Sequence, residues 1–332
     1  MISRIFPKIV LLASCLSLAS LAGCMMTPDN EASCPDIGDS GQLNVLTINL
    51  LFSEIETRDE RLASIAQFIA DNRVDFVMLQ EVVGGQLVRT ENSALDLQDA
   101  LADDHGLTFD SRTAFETGIP GLLTVANAVL SRCDILDQRV QRLPKTSELE
   151  IGGQTFPLFR NVTMTRLDLP DVGNVSVYNT HLCARCTVAE RAEQLNVLLD
   201  FVDESEAMTP SGVASVLGGD LNIDIFRDGG EARPLYDGII GAGFTDTAAD
   251  GRTLEELCEN RRAADEHCTV GVSDLNGPNA RRIDYIFARG FGEVLANRVA
   301  FNPLIDSEQP TVSDHAGVFS SIALPAIAVA GN

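Results

Sequence analysis

The sequence predicts an α/β domain: mixed β-sheets with helices on their outer faces. Three observations carry this. The clearest strand, Leu43 to Leu50, is mostly apolar on both of its alternating faces, as a strand buried on both sides of its sheet must be. Segments of helical period, such as Arg58 to Asn72, interleave with such strands. Several strand pairs have no helix between them, which excludes a pure strand–helix–strand barrel and calls for mixed sheets.

The elements follow in order. In the strand from Leu43 to Leu50, Leu43, Val45 and Thr47 alternate with Asn44, Leu46 and Ile48. Arg58 to Asn72 carries Leu62, Ile65, Phe68 and Ile69 on one helical stripe. Asp75 to Leu79 is a strand that ends at Gln80-Glu81, and Leu95 to Leu101 a second helix. Val125 to Leu130 is a strand ending at Ser131-Arg132. Leu158 to Leu167 and Val172 to Asn179 are neighbouring strands joined at Pro170-Asp171. Val188 to Val202 is a helix with Leu195, Leu198, Leu199 and Val202 inward, and Val213 to Leu217 a strand feeding Gly218-Gly219-Asp220. Phe226 to Cys268 reads as a long, loop-rich segment. Arg282 to Ala288 and Ala316 to Ala323 are the last two strands.

The chain of 332 residues is 45% hydrophobic, enough for a sizeable core. Residues 1–23 pair a basic start, Arg4 and Lys8, with an apolar run from Ile9 to Ala19 and the tetrad Leu21-Ala22-Gly23-Cys24. That is the layout of an export signal. It resembles a bacterial lipoprotein signal, which implies cleavage before Cys24, lipidation of its thiol and, with Met25 following, an outer-membrane anchor that holds the chain in the periplasm or at the cell surface. Two acyl chains make a stable anchor. The polar residues 24–42 then read as a lipidated tether, 43–323 as the domain and 324–332 as a tail. The formal charge is −24, and removing residues 1–23, which hold two bases and no acid, makes it −26. Such a field disfavours a stable complex with nucleic acid, and the expected state is a monomer.

Outside the signal and Cys24, six cysteines remain: Cys34, Cys133, Cys183, Cys186, Cys258 and Cys268. An even number in an exported chain points to disulfides. The local pairing expected is Cys258 with Cys268. Cys183-Ala184-Arg185-Cys186 has redox-motif spacing without the surrounding fold, and it follows His181 so closely that it reads as a device shaping that loop.

The chemistry sits where apolar runs stop. Asn49, Gln80-Glu81, Asn179-Thr180-His181, Gly219-Asp220-Leu221-Asn222 and Ser313-Asp314-His315 each end or adjoin such a run. Buried strands that deliver carboxylates, amides and imidazoles at their ends suit a metal-assisted hydrolase. Glu81 and Asp314 offer the hard oxygens that Mg²⁺ takes, with Asn49 a neutral amide oxygen. Of the four histidines, His105 and His267 lie in charged loops and read as structural, whereas His181 and His315 lie in the polar clusters. Asp284, on a neighbouring apolar strand, could hold the His315 ring and fix its tautomer. Asp220 could orient or deprotonate a water, and Asn222 falls on the same side if the strand continues through it; an Asx turn is the alternative.

Taken together, Leu46-Thr47-Ile48-Asn49, Leu79-Gln80-Glu81, Asn127-Ala128-Val129-Leu130-Ser131-Arg132, Asn179-Thr180-His181-Leu182, Gly219-Asp220-Leu221-Asn222, Arg282-Ile283-Asp284-Tyr285-Ile286 and Ser313-Asp314-His315 resemble, in order, the motifs of the endonuclease/exonuclease/phosphatase superfamily. The resemblance spans about residues 43–322. It implies a four-layer α-β-β-α sandwich of two packed mixed sheets with the site at one edge. It implies Glu81 as principal Mg²⁺ ligand, helped by Asn49 and Asp314, with Mn²⁺ or Ca²⁺ as other candidates. His315 would be the acid–base imidazole held by Asp284, Asp220 would align the water, and His181 and Asn222 would bind phosphoryl oxygens. Asn127 would line the site. Some members carry an Asp two residues beyond the first Asn; Leu51 stands there, which leaves the first metal cluster one carboxylate poorer.

The expected substrate is a phosphate ester. A phosphodiesterase acting outside the cytoplasm on phospholipid headgroups or small phosphodiesters fits the anchor; an exported nuclease fits the fold and is opposed by the charge. The alternative from another class is a binding protein on a decayed scaffold.

Overall fold

The computed structural model describes residues 34, 37, 41–51, 56–144, 147–151, 154–169, 172–209, 214–249, 251–258, 267–271, 280–303, 305, 307–308 and 310–325. The expected signal and Cys24, most of the tether, and residues 326–332 lie outside them. Fourteen strands and four α-helices are present among the described residues.

The first sheet contains β1 (Gln42–Asn49), β2 (Phe76–Gly84), β3 (Asp110–Ile119), β4 (Leu123–Ser131), β13 (Val294–Ala300) and β14 (Gly317–Ala323), in the order β13-β14-β1-β2-β4-β3. The second contains β5 (Asp137–Arg142), β8 (Asn161–Leu169), β9 (Gly173–His181), β10 (Ala214–Asp220), β11 (Thr245–Asp246) and β12 (Asp284–Arg289), in the order β11-β12-β10-β9-β8-β5. β6 (Ser147–Ile151) and β7 (Gln154–Leu158) form a separate hairpin. Each large sheet holds one parallel pair, β1 with β2 and β9 with β10. The chain crosses between the partners through a helix in each case: α1 (Arg58–Asp71) in the first, α3 (Val188–Ala207) in the second. α2 (Ser93–His105) and α4 (Arg233–Gly241) complete the set.

Strand periodicity explains the layering. Leu46 and Ile48 of β1, with Val77 and Leu79 of β2, pack against Ile65 and Ile69 of α1 and Leu97 of α2. Their alternates Val45, Phe76 and Met78 face Val177, Val216 and Ile286 of the other sheet. There Tyr178, Leu217, Tyr285 and Phe287 point outward to Leu195 and Leu198 of α3 and Ile239 of α4. Because successive side chains alternate across a strand, each central strand feeds two apolar layers, and the result is the expected four-layer sandwich.

Several expectations need correction. Of the strands that apolar pattern does not disclose, β3, β5, β11 and β13 are the four edges of the two large sheets, and β6 and β7 form the separate hairpin. An edge strand shows one ladder of hydrogen-bonding groups to solvent, and a polar sequence protects it from adding further strands. Hence Asp137-Gln138-Arg139-Val140-Gln141-Arg142 is a strand without an apolar run, and β13 lies between the two strands expected to be last. Residues 226–268 hold α4 and β11, so the segment is less loop-rich than it reads. α2 extends beyond Leu101 because Asn92 caps its start and Gly106 ends it in the left-handed conformation. The tether stops short of residue 42: Cys34 is bonded to Cys133, and Ile37 is buried in the core between the sheets. The other disulfides are Cys183–Cys186 and the expected Cys258–Cys268.

Candidate active site

Parallel pairing puts the C-terminal ends of β1 and β2, and of β9 and β10, at one edge of the sandwich, the usual ligand edge of parallel strands. In the second sheet His181, Asp220 and Asp284 stand in one row across three adjacent strands. In the first, Asn49 is level with Gln80. Gly219 is required within this row: its φ is +127°, and a Cβ there would lie 2.0 Å from the Thr180 carbonyl oxygen.

Two strands are bent to serve the site, β2 within its length and β10 at its end. β2 is bulged between Leu79 and Val82, and Glu81 inside the bulge has φ +55°. Bulges re-aim a side chain, and here the turned residue is the expected metal ligand. β10 stops at Asp220. Asn222 has φ +51° and donates its backbone N–H to Asp220 Oδ1 at 3.0 Å. The strand therefore does not continue, and the Asx turn places Asn222, whose amide nitrogen donates to the Leu182 carbonyl at 3.0 Å.

Asp220 Oδ2 is the hub where the two sheets meet. It accepts from Asn49 Nδ2 at 3.2 Å, and it lies 3.2 Å from His181 Nε2 and 3.8 Å from His315 Nε2. His315 Nδ1 faces both oxygens of Asp284, at 2.9 and 3.1 Å. Asn49 thus turns its nitrogen to Asp220 and its oxygen to the Leu51 N–H, which leaves that oxygen a second lone pair for a cation. Asp314 is exposed at the rim and accepts from Ser313 Oγ at 3.3 Å.

The two imidazoles are pushed apart in protonation. Burial opposes charge on His315, but Asp284, Asp220 and the hydrogen bond to Asp284 outweigh it and raise its pKa to about 10. His181 goes the other way: burial, the Arg160 guanidinium and the His315 charge lower its pKa well below the ordinary range. Burial and the Asp284 charge raise Asp220 to about 7. At neutral pH this edge holds a charged imidazole, a neutral one, and a carboxylate poised to gain or lose a proton, a division seen where acid and base roles are split.

Sequence reasoning missed Glu116 and Arg160. Arg160 Nη1 pairs with Glu116 Oε2 at 3.0 Å, and Nη2 lies 3.3 Å from His181 Nε2. Both residues are buried, and burial raises the Glu116 pKa to about 7 against the pull of Arg160. Asn127 belongs to this layer. It is fully buried and donates to Glu116 Oε1 at 3.0 Å and to Asn161 Oδ1 at 3.1 Å, so it lies beneath the site, not along its wall. The available signal was Arg160 itself, a charge directly before the apolar β8. Glu116 gave none, since β3 is a polar edge strand.

Asp220, Asp284 and His315 bring ligand atoms within 4.8 Å of one another, a spacing a metal could bridge. The hydrogen-bond geometry favours a proton there, because His315 Nδ1 is already aimed at both Asp284 oxygens. The donors suited to a hard cation are Glu81, Asp314 and the Asn49 amide. Burial is the main cause that raises Asp220 and Glu116, and the Glu81 charge adds a smaller push to each, so carboxylates repel one another at this edge. A bound divalent cation would relieve that repulsion, and the donor set fits one. Leu51, with φ +56°, lines the same cleft as Glu81, beside Arg58 and Arg61.

The fold has solved counterparts. An endonuclease/exonuclease/phosphatase family protein from Leptotrichia buccalis C-1013-b superposes with TM-score 0.62 at 21% identity, over 84% of this chain and 99% of that one. An endonuclease/exonuclease/phosphatase from Beutenbergia cavernae DSM 12333 gives 0.61 at 24% identity, over 87% and 73%. A mannosyl-6-phosphatase from Bacteroides thetaiotaomicron VPI-5482 gives 0.57 at 19%, over 84% and 99%. No curated protein matches the chain. The family model described as "Endonuclease/Exonuclease/phosphatase family" matches residues 46–315, a span that runs from β1 to His315 and contains every residue of the edge just described. The chain belongs to the endonuclease/exonuclease/phosphatase family, and is a hydrolase of the divalent-metal-dependent kind that acts on phosphate esters.

Proposed function

We propose that the chain is a Mg²⁺-dependent phosphodiesterase, held at a bacterial membrane by lipid on Cys24, that acts outside the cytoplasm on phospholipid headgroups or small phosphodiesters. The observation that carries the catalytic part is the His315–Asp284 pair set 3.8 Å from Asp220. The export layout of residues 1–24 carries the location.

The division of roles follows from the charge states. His315 holds a proton at neutral pH and gives it to the leaving oxygen. Asp220, with a pKa about 7, aligns the attacking water and takes its proton. His181 stays neutral; its buried Nδ1 has no hydrogen-bond partner among the described residues, and a phosphoryl oxygen would supply one. Asn222 takes a second phosphoryl oxygen. Glu81, Asp314 and Asn49 would hold the metal, which supplies charge neutralisation at the non-bridging oxygens.

The test is a panel of sphingomyelin, bis(p-nitrophenyl) phosphate, p-nitrophenyl phosphate, DNA and RNA, each with Mg²⁺ and with EDTA. Hydrolysis of the first two, abolished by chelation, is the expected result. Preference for DNA or RNA would replace the substrate assignment with a nuclease, and activity indifferent to EDTA would overturn the metal role.

A further inference from the structure

A second charged feature adjoins the site. A cleft lined by Ala184, Val188, Arg191, Asn222, Arg227 and Arg281 opens beside it, with Asp224 and Glu231 also on its wall. The three arginines come from three separate places: Arg191 from α3, Arg227 from the short 3₁₀ turn at Arg227–Gly230, and Arg281 from the bridge to Val270 just before β12. In a chain of formal charge −24, such convergence of guanidiniums is a local reversal of sign.

Three guanidiniums share the cleft with two carboxylates, Asp224 and Glu231, an excess of one positive charge. Arg191 is half-buried, and burial together with Arg227 and Arg281 lowers its pKa, while Glu190 offsets them only in part. Its Nη1 is occupied by the Cys183 and Cys186 carbonyls at 3.2 and 2.6 Å. Its buried Nε has no hydrogen-bond partner among the described residues. An excess of guanidinium in a partly desolvated cleft leaves room for a further anion beside Asp224 and Glu231, and guanidiniums match phosphate oxygens in geometry.

The cleft is tied to the reacting edge by one residue. Asn222 lines it, and the same Asn222 is hydrogen-bonded through its backbone to Asp220 and through its side chain to the residue after His181. We infer that the Arg191–Arg227–Arg281 cleft binds a second phosphate group of the substrate, so that the preferred substrate is a phosphate ester carrying another phosphate a few bonds from the scissile one. This rests on the phosphoesterase reading above and narrows its substrate class. Arg191 also braces the disulfide loop after His181, which leaves Arg227 and Arg281 as the residues to vary.

The test is competitive inhibition of bis(p-nitrophenyl) phosphate hydrolysis at fixed free Mg²⁺, with glucose 6-phosphate, glucose 1,6-bisphosphate and 3-phosphoglycerate. The bisphosphate should inhibit at least tenfold more tightly than the monophosphate. In the Arg227→Gln/Arg281→Gln double variant that gap should fall to about twofold, with kcat and KM for bis(p-nitrophenyl) phosphate, which carries no second phosphate, within about threefold of the parent. Equal inhibition by the two glucose esters, or a gap that survives the double variant, overturns the inference; 3-phosphoglycerate as the tightest of the three would replace the second phosphate by a carboxylate. Should bis(p-nitrophenyl) phosphate not be cleaved, the small-phosphodiester reading fails by itself. Calorimetric binding of glucose 1,6-bisphosphate to parent and double variant then tests the cleft directly.

Discussion

His315 and Asp284 meet through both carboxylate oxygens, at 2.9 and 3.1 Å from one ring nitrogen, although 31 residues separate them. The contact fixes which nitrogen faces Asp220 and keeps the ring protonated at neutral pH. His315→Ala should lower kcat by about 10²–10⁴. Asp284→Asn should lower it by a similar order and move the alkaline limb of the rate profile to lower pH, because the partner that raises the imidazole pKa loses its charge. Steady-state rates from pH 5 to 10 on bis(p-nitrophenyl) phosphate check both. An unmoved alkaline limb in Asp284→Asn would remove the pair from the mechanism.

Stability should fall as pH rises in metal-free protein. Asp75, Glu116 and Asp220 have folded-state pKa values raised by burial to about 6, 7 and 7. Each binds a proton more tightly folded than unfolded, so each contributes stability at acid pH that is lost between about 4 and 7. His315 is raised from 6.5 to about 10, and its contribution is complete below 6.5 and lost as pH climbs to 10. Thermal melts in EDTA should give a higher Tm at pH 6.5 than at pH 8.5, a window above the lowered pKa values of buried His181 and His267, which add no further change there. Asp75→Asn, remote from the site, should flatten the slope between pH 4 and 6. A Tm that rises over this range would show these groups to be otherwise compensated.

The Glu116–Arg160 pair is fully enclosed. Removing one partner leaves an uncompensated buried charge, so Arg160→Met should cost about 3–5 kcal/mol. Replacing both, as Glu116→Leu/Arg160→Met, should recover most of that in a denaturant titration, while kcat stays low because His181 loses its neighbour at 3.3 Å. Full recovery of turnover with stability would make the pair purely structural.

The disulfides should separate stability from function. Cys34–Cys133 closes 99 residues and Cys183–Cys186 only 3, so by chain entropy the first contributes about 5 kcal/mol and the second about 2 kcal/mol. Cys133→Ser should therefore lower Tm more than Cys183→Ser/Cys186→Ser. The latter should raise KM more, since its loop follows His181 and is braced by Arg191. Equal Tm losses would refute the entropic ranking.

Much of the site was legible before any fold was known. A strand buried on both faces tolerates few polar groups, so the first amide, carboxylate or imidazole after an apolar run marks a strand end. Asn49, Glu81, His181 and Asp220 were found in clusters that follow apolar runs, and Asp284 as the acid of a neighbouring apolar strand; the pairing brings them to one edge, although β2 continues past Glu81 to Gly84 and β12 begins at Asp284. The edge strands were hidden, because the polarity that protects a sheet edge removes the alternation that announces a strand. With β3 went Glu116, and with it the meaning of Asn127, whose amide looked available for substrate until its partner was known.

By itself the chain order determined which residue types stand at strand ends and which segments bury two faces, since both follow from local periodicity. Only the tertiary structure decided who meets whom. Asn49 reaches Asp220 across 171 residues and from the opposite sheet, Glu81 is turned by a bulge, and burial together with the Arg160 guanidinium keeps His181 neutral. Those outcomes depend on how two sheets stack and twist against each other, a long-range packing result that no window of sequence contains.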